Sequence, residues 1–273
     1  MKKLSQLLII SFLVVSLTSV ALAVGSDIKA GLTYYNQGKL TKAKTRFKGA
    51  LKSPGDKIEA YSNLGLIAKE EGNIDNAIKY YRKALSLDGS LAANHISLGD
   101  LYLSNDNYEA AITEYIIADG LTSHFITDQK LGIVNYKQGN YEKALEYLEN
   151  VVKDYKGVYP SSYYLGATYR KLGKNHKAEK YLKEAIQLNP TYVRAYLGLG
   201  DLYMDTGQKI LGLKSYKKAT KINPTYYMSH FKLAYAYMEL NRVEQAKDSL
   251  EKTLHLKANF TKAREILNKL KSM

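Results

Sequence analysis

Apolar residues recur along this chain at steps of three and four, in bursts separated by a small or polar residue. In residues 58–91, Tyr61, Leu64, Leu66 and Ile67 come before Gly72, and Ile74, Ala77, Ile78, Tyr81, Ala84 and Leu85 come after it. That spacing places each burst on one face of an α-helix, so the pattern predicts two helices joined at Gly72. No stretch reads as a strand.

The pattern is periodic. The tetrapeptide NPTY occupies 189–192 and again 223–226, and LGDLY occupies 98–102 and 199–203. Laid out at the period these repeats set, the chain gives seven rows: 24–57, 58–91, 92–124, 125–158, 159–192, 193–226 and 227–260. The eighth column holds Gly31, Gly65, Gly99, Gly132, Gly166, Gly200 and Ala234. The twentieth holds Ala43, Ala77, Ala111, Ala144, Ala178, Gly212 and Ala246. Small residues in both columns let two helix backbones approach. The fifteenth column holds Gly38, Gly72, Asp106, Gly139, Gly173, Gly207 and Asn241. These residue types tolerate left-handed backbone angles, which predicts the turn of a hairpin there. One such hairpin is too small to bury its own apolar face, so neighbours must stack.

The order L-G-x-x-Y, then alanine, an aromatic four later, and alanine again resembles the tetratricopeptide repeat. Row six carries it clearly in Tyr196, Leu199, Gly200, Tyr203, Tyr216, Ala219 and Pro224. Departures are local: the chain has no tryptophan, and Asn135, Gly212, Ala234 and Thr253 replace the expected types. The resemblance implies an all-α, right-handed superhelical solenoid of antiparallel helix pairs. Residues 261–273 read as a final amphipathic helix that covers row seven, as a solenoid end requires.

Composition bounds the chemistry. Of 273 residues, 45% are hydrophobic and 24% charged, as in an ordered protein. The absence of cysteine removes disulfides, thiolate metal sites and thiol nucleophiles. Residues 1–23 read as a secretory signal peptide: Lys2 and Lys3, an apolar run over Leu7–Leu17, then Ala21-Leu22-Ala23 before the cut. An uncleaved anchor over residues 4–24 is the alternative, since that stretch is uncharged. The expectation is an exported chain, periplasmic or secreted, touching a membrane only if that segment stays attached. Net charge is +14, which favours an acidic partner. Lysine and glutamate are interleaved, however, so nothing resembles a nucleic-acid arm.

Asp100 and Asp201 of the two LGDLY copies are read as one structural part used twice, pointing away from the packed column. They lie three rows apart, roughly 30 Å at about 10 Å per helix, whereas paired catalytic carboxylates stand about 5–10 Å apart. The five histidines lack paired ligand spacing and read as isolated surface or groove residues. No nucleophile elbow, phosphate loop or calcium loop is present. The expectation is therefore no enzyme, no cofactor and no metal.

Binding remains. The resemblance implies a groove lined by first-helix positions two, five, six, nine, twelve and thirteen, which offers Tyr35 with Ile28 and Leu32 in row one. Rows four and five give a basic, tyrosine-rich patch of Lys130, Tyr136, Lys137, Tyr163, Arg170 and Lys171. Rows six and seven give an acidic, softer patch of Asp201, Met204, Phe231 and Tyr235. Exposed aromatic and methionine side chains suit a peptide segment. The five-residue carboxylate clamp of some family members is absent from the first three rows, where only Asn63 fits. The expected function is a protein-interaction scaffold, monomeric, with an unidentified protein partner. The alternative is a basic surface for an anionic glycan, lipid or nucleic acid, led by Lys130, Lys137, Arg170 and Lys171.

Overall fold

The structure, a computed structural model, describes residues 25–122 and 125–272. It divides into two compact units, Met1–Thr127 and Asp128–Met273. The leader expected over residues 1–23, and the alternative anchor over 4–24, lie outside the described residues.

The chain runs as α1 (Ser26–Asn36), α2 (Leu40–Ala50), a 3-10 turn (Pro54–Asp56), α3 (Lys57–Glu70), α4 (Ile74–Leu87), α5 (Ala92–Ser104) and α6 (Tyr108–Thr122). It continues as α7 (Phe125–Gln138), α8 (Tyr141–Asp154), α9 (Tyr159–Lys171), α10 (Asn175–Leu188) and α11 (Val193–Asp205). The last helices are α12 (Lys209–Ile222), α13 (Tyr227–Glu239), α14 (Val243–Leu256) and α15 (Thr261–Lys271). The fold is all-α: helices joined by tight turns pack as antiparallel pairs, and within each unit pair stacks on pair.

Each hairpin closes in the same way. Gly38, Gly72, Asp106, Gly139, Gly173, Gly207 and Asn241 all have positive φ, from 54° at Asp106 to 93° at Gly139. The next residue's N–H reaches back to a carbonyl five residues earlier, as in Lys174 to Tyr169 at 2.9 Å and Gln208 to Tyr203 at 2.8 Å. The left-handed residue donates to a carbonyl three back, Gly173 to Arg170 at 3.1 Å. This is the Schellman ending, which satisfies two carbonyls the helix would otherwise leave open.

Inside a hairpin, the eighth-column glycine receives the side chain of the twenty-fourth column. A Cβ on Gly99 would fall 2.5 Å from the Tyr115 ring, and one on Gly200 2.4 Å from the Tyr216 ring. Leucines fill the same slot beneath Gly132 and Gly166. Alanines of the twentieth column, among them Ala43, Ala77, Ala111 and Ala178, are completely buried. Between hairpins, the NPTY repeats form Asx turns: the Asn189 carboxamide oxygen accepts from the Thr191 N–H at 3.1 Å and hydroxyl at 2.9 Å. Asn223 does the same for Thr225, at 3.0 and 2.9 Å. At the end of unit 2, α15 buries Ala263, Leu267 and Leu270 in the core of α13 and α14.

Three expectations need correction. His95 and His230 are buried, not surface or groove residues. His95 lies 2.6 Å from Glu114 and 3.2 Å from the Gly89 carbonyl, and His230 lies 2.8 Å from the Pro224 carbonyl. Both occupy the fourth column, where Tyr196 likewise reaches the Pro190 carbonyl at 3.2 Å. A fourth-column polar ring therefore ties down the incoming turn. Ile28, placed on the groove from the sequence, is fully buried in the core of unit 1. Asp100 and Asp201 do not point away from the packing. Each accepts a hydrogen bond from the second-helix tyrosine of its own hairpin, Tyr115 at 2.7 Å and Tyr216 at 2.6 Å.

Candidate functional site

In unit 2 the first helices of successive hairpins lie side by side, and residues on one side of them, most of them half-buried or buried, line an open cavity of about 260 Å³. Its walls are Tyr136 and Lys137 of α7, Tyr163, Tyr164, Ala167 and Arg170 of α9, Arg194, Leu197, Gly198 and Asp201 of α11, Tyr226, and Met228 and Lys232 of α13. Small residues make the room: a side chain on Gly198 would meet the Tyr163 ring at 3.2 Å.

One wall is a connected set of phenol rings. Tyr136 meets Tyr164 edge-on at 5.4 Å, Tyr164 meets Tyr163 at 4.9 Å, and Tyr163 meets Tyr192 at 5.5 Å. Tyr192 in turn meets Tyr159 at 4.9 Å. Edge-to-face contacts of this kind are favourable and fix the rings relative to one another. Burial raises the hydroxyl pKa values of Tyr136 and Tyr163, and pushes Tyr192 up to about 12. These hydroxyls are therefore neutral donors at physiological pH.

The opposite wall is ionic. Arg170 donates to Asp205 at 2.6 Å and lies 3.6 Å from Asp201. Burial opposes the Arg170 charge, but Asp201 and Asp205 outweigh it and hold the guanidinium protonated. Asp201 also takes Lys232 at 2.9 Å and the Tyr216 hydroxyl at 2.6 Å. Two positions are left open. The Arg170 Nε is buried and makes no hydrogen bond. Arg194 donates to the Tyr164 hydroxyl at 3.2 Å and meets no carboxylate among the described residues.

The structure thus joins part of the two patches read from the sequence. Tyr136, Lys137, Tyr163, Arg170 and Asp201 line one cavity. The supposed basic patch is not a free one, because Arg170 is held by two aspartates of the next hairpin. Lys130, partly buried, and Lys171, exposed, lie outside the lining. Met204 packs over Gly212 in its own hairpin. Phe231 meets Phe260 edge-on at 4.9 Å, and Tyr235 is 48% exposed on α13. Tyr35 belongs to unit 1, where its hydroxyl donates to Glu70. Sequence reasoning missed Arg194, Tyr226, Met228 and Lys232. Arg194 and Lys232 stand at the second and sixth columns, which were already groove positions, so the column rule could have found them.

A stack of antiparallel helical hairpins defines the class as a helical-repeat solenoid. Family models described as tetratricopeptide repeat match residues 58–91, 129–157, 193–226 and 215–248, and one described as TPR repeat matches 166–207. The chain belongs to the tetratricopeptide repeat family. No match is found among curated proteins. Among solved structures, a tetratricopeptide repeat protein from Parabacteroides merdae is 18% identical with a TM-score of 0.76, covering 90% of this chain and 98% of that one. The APC/C hetero-tetramer Cut9-Hcn1 gives 16% identity and a TM-score of 0.74 over 88% of this chain, which spans 48% of its match. PilF of Pseudomonas aeruginosa gives 21% and 0.63, over 79% of this chain and 98% of that one. These likenesses establish the fold. Proteins of this fold are typically non-catalytic and generally mediate protein–protein interaction.

Proposed function

We propose that the chain is a non-catalytic scaffold that holds an extended or helical segment of a partner protein in the unit 2 cavity. The observation that carries this reading is Arg194, a cavity-lining cation without a carboxylate, set beside a wall of rigid tyrosines. A segment bearing an acidic group next to an aromatic or aliphatic residue would complement the site: the acid takes Arg194, and the apolar group lies on Tyr163. The rival reading, an anionic ligand on Lys130, Lys137, Arg170 and Lys171, loses support because Arg170 already carries two aspartates.

The test places a photo-crosslinking residue at Lys137 in the host and compares the parent with a Tyr163→Ala, Arg194→Glu variant. A protein adduct formed by the parent and lost in the variant is the expected result. An adduct of equal yield in both sinks the reading. The leader implies work outside the cytoplasm, in the cell envelope. N-terminal sequencing of the protein from its host should then begin at Val24, whereas a start at Met1 would favour the anchor over residues 4–24.

A further inference from the structure

The second helix α12 differs from the other second helices of unit 2. Its sequence, KILGLKSYKKATKI, carries five lysines and no acid. By contrast α8 carries Glu142, Glu146, Glu149 and Asp154, α10 carries Glu179 and Glu184, and α14 carries Glu244, Asp248 and Glu251. The helix buries Gly212, Leu213, Ser215, Tyr216 and Ala219. Its outward side shows Ile210, 60% exposed, and Leu211, 41% exposed, followed by exposed Lys214, Lys217, Lys218 and Lys221. Steps of three and four hold these six on one side of the helix.

Neighbouring acids do not neutralise this side. Among the described residues Lys214, Lys218 and Lys221 meet no carboxylate, and Lys217 lies over the Tyr237 ring at 5.6 Å. Most flanking acids are engaged elsewhere: Glu179 by Lys183 at 2.7 Å, Glu184 by the Ser162 hydroxyl at 3.1 Å, Glu244 by Lys247 at 3.0 Å and Glu251 by Lys271 at 2.7 Å; Asp248, on α14, pairs with none of the α12 lysines. None of the six outward residues lines the first-helix cavity.

We propose that this side of α12 docks on an anionic lipid surface. The four ammonium groups match a layer of headgroup phosphates, and Ile210 with Leu211 enters the boundary of the acyl region. Nucleic acid would answer the lysines but give the two apolar side chains no environment better than water. Because docking uses the face away from the cavity, the chain can lie on a membrane and hold a partner segment at once. The inference stands apart from the cavity reading, since no residue is shared.

The test is co-sedimentation of the chain from Val24, which keeps every described helix, with phosphatidylcholine vesicles prepared with and without phosphatidylglycerol. Binding should require phosphatidylglycerol and fall with added salt. Each lysine is worth about fivefold near such a surface, so a Lys214→Gln, Lys218→Gln, Lys221→Gln variant should lose about a hundredfold. The charge-neutral Ile210→Ser, Leu211→Ser variant should lose vesicle binding by about tenfold while its weak retention on a single-stranded oligonucleotide stays unchanged. All five substituted side chains are exposed, so both variants should melt like the parent. The proposal is overturned if vesicle binding ignores phosphatidylglycerol, if the serine variant binds vesicles as the parent does, or if the oligonucleotide binds more tightly than the vesicles.

Discussion

Two kinds of glycine recur in the hairpins, and single substitutions should tell them apart. Gly200 sits under the Tyr216 ring with no room for a Cβ, whereas Gly173 has open space around it but a φ of +70°. Gly200→Ala forces the ring from its slot and should cost about 1–3 kcal/mol, the range of an overpacked core. Gly173→Ala strains only the backbone and should cost about 1–2 kcal/mol. Urea unfolding of Gly173→Asn should recover most of the second loss, because asparagine already serves the same turn at Asn241. Gly200→Asn should recover none of the first. The Tyr216 hydroxyl bond to Asp201 is a separate contribution: Tyr216→Phe should cost about 1 kcal/mol by the same measurement. The glycine columns were legible in the sequence, since a small or left-handed-tolerant residue recurs at the same place in copy after copy. The pairing of Arg170 with Asp201 and Asp205 was not. Those residues belong to different hairpins, and only the stagger between neighbours decides which charges meet.

At the scale of the element, α15 has no hairpin partner and makes its living as a cover. It buries Ala263, Leu267 and Leu270 against α14. Leu267→Ala removes a side chain that is 6% exposed and should cost about 2–4 kcal/mol locally. In a stacked array stability is passed between neighbours, so the loss should fall first on the adjacent hairpin. Hydrogen exchange should show α13 and α14 deprotected well before α9 and α10. Equal deprotection of all four helices would show that unit 2 unfolds as one block instead. This helix was visible as an amphipathic pattern beyond the last row. The inward turn of His95 and His230 was not, because a lone polar ring in a helical stripe gives no hint that a carbonyl six residues earlier awaits it.

For the whole molecule, the tyrosines set the alkaline limit. The chain holds 25 of them, and burial raises the hydroxyl pKa of many, Tyr81 and Tyr192 to about 12. A folded-state pKa above the unfolded value of about 10 means that the unfolded chain releases its protons first. Stability from this source is therefore complete below pH about 10 and falls as pH rises toward 12. Urea midpoints should be flat from pH 8 to 9.5 and drop steeply by pH 11. A Tyr192→Phe variant, which cannot ionise there, should show a shallower drop. Among the described residues no helix is long and apolar enough to cross a membrane.

The sequence by itself determined the repeating part: where helices turn, which columns pack and which residue types recur, all consequences of local periodicity and of steric rules applied within some thirty-four residues. Tertiary structure alone decided what neighbouring hairpins do to one another. It neutralised Arg170 while leaving Arg194 open, closed four first helices around a cavity, and left the lysines of α12 without acids. Those outcomes depend on distances between side chains in different repeats, which a linear pattern does not contain.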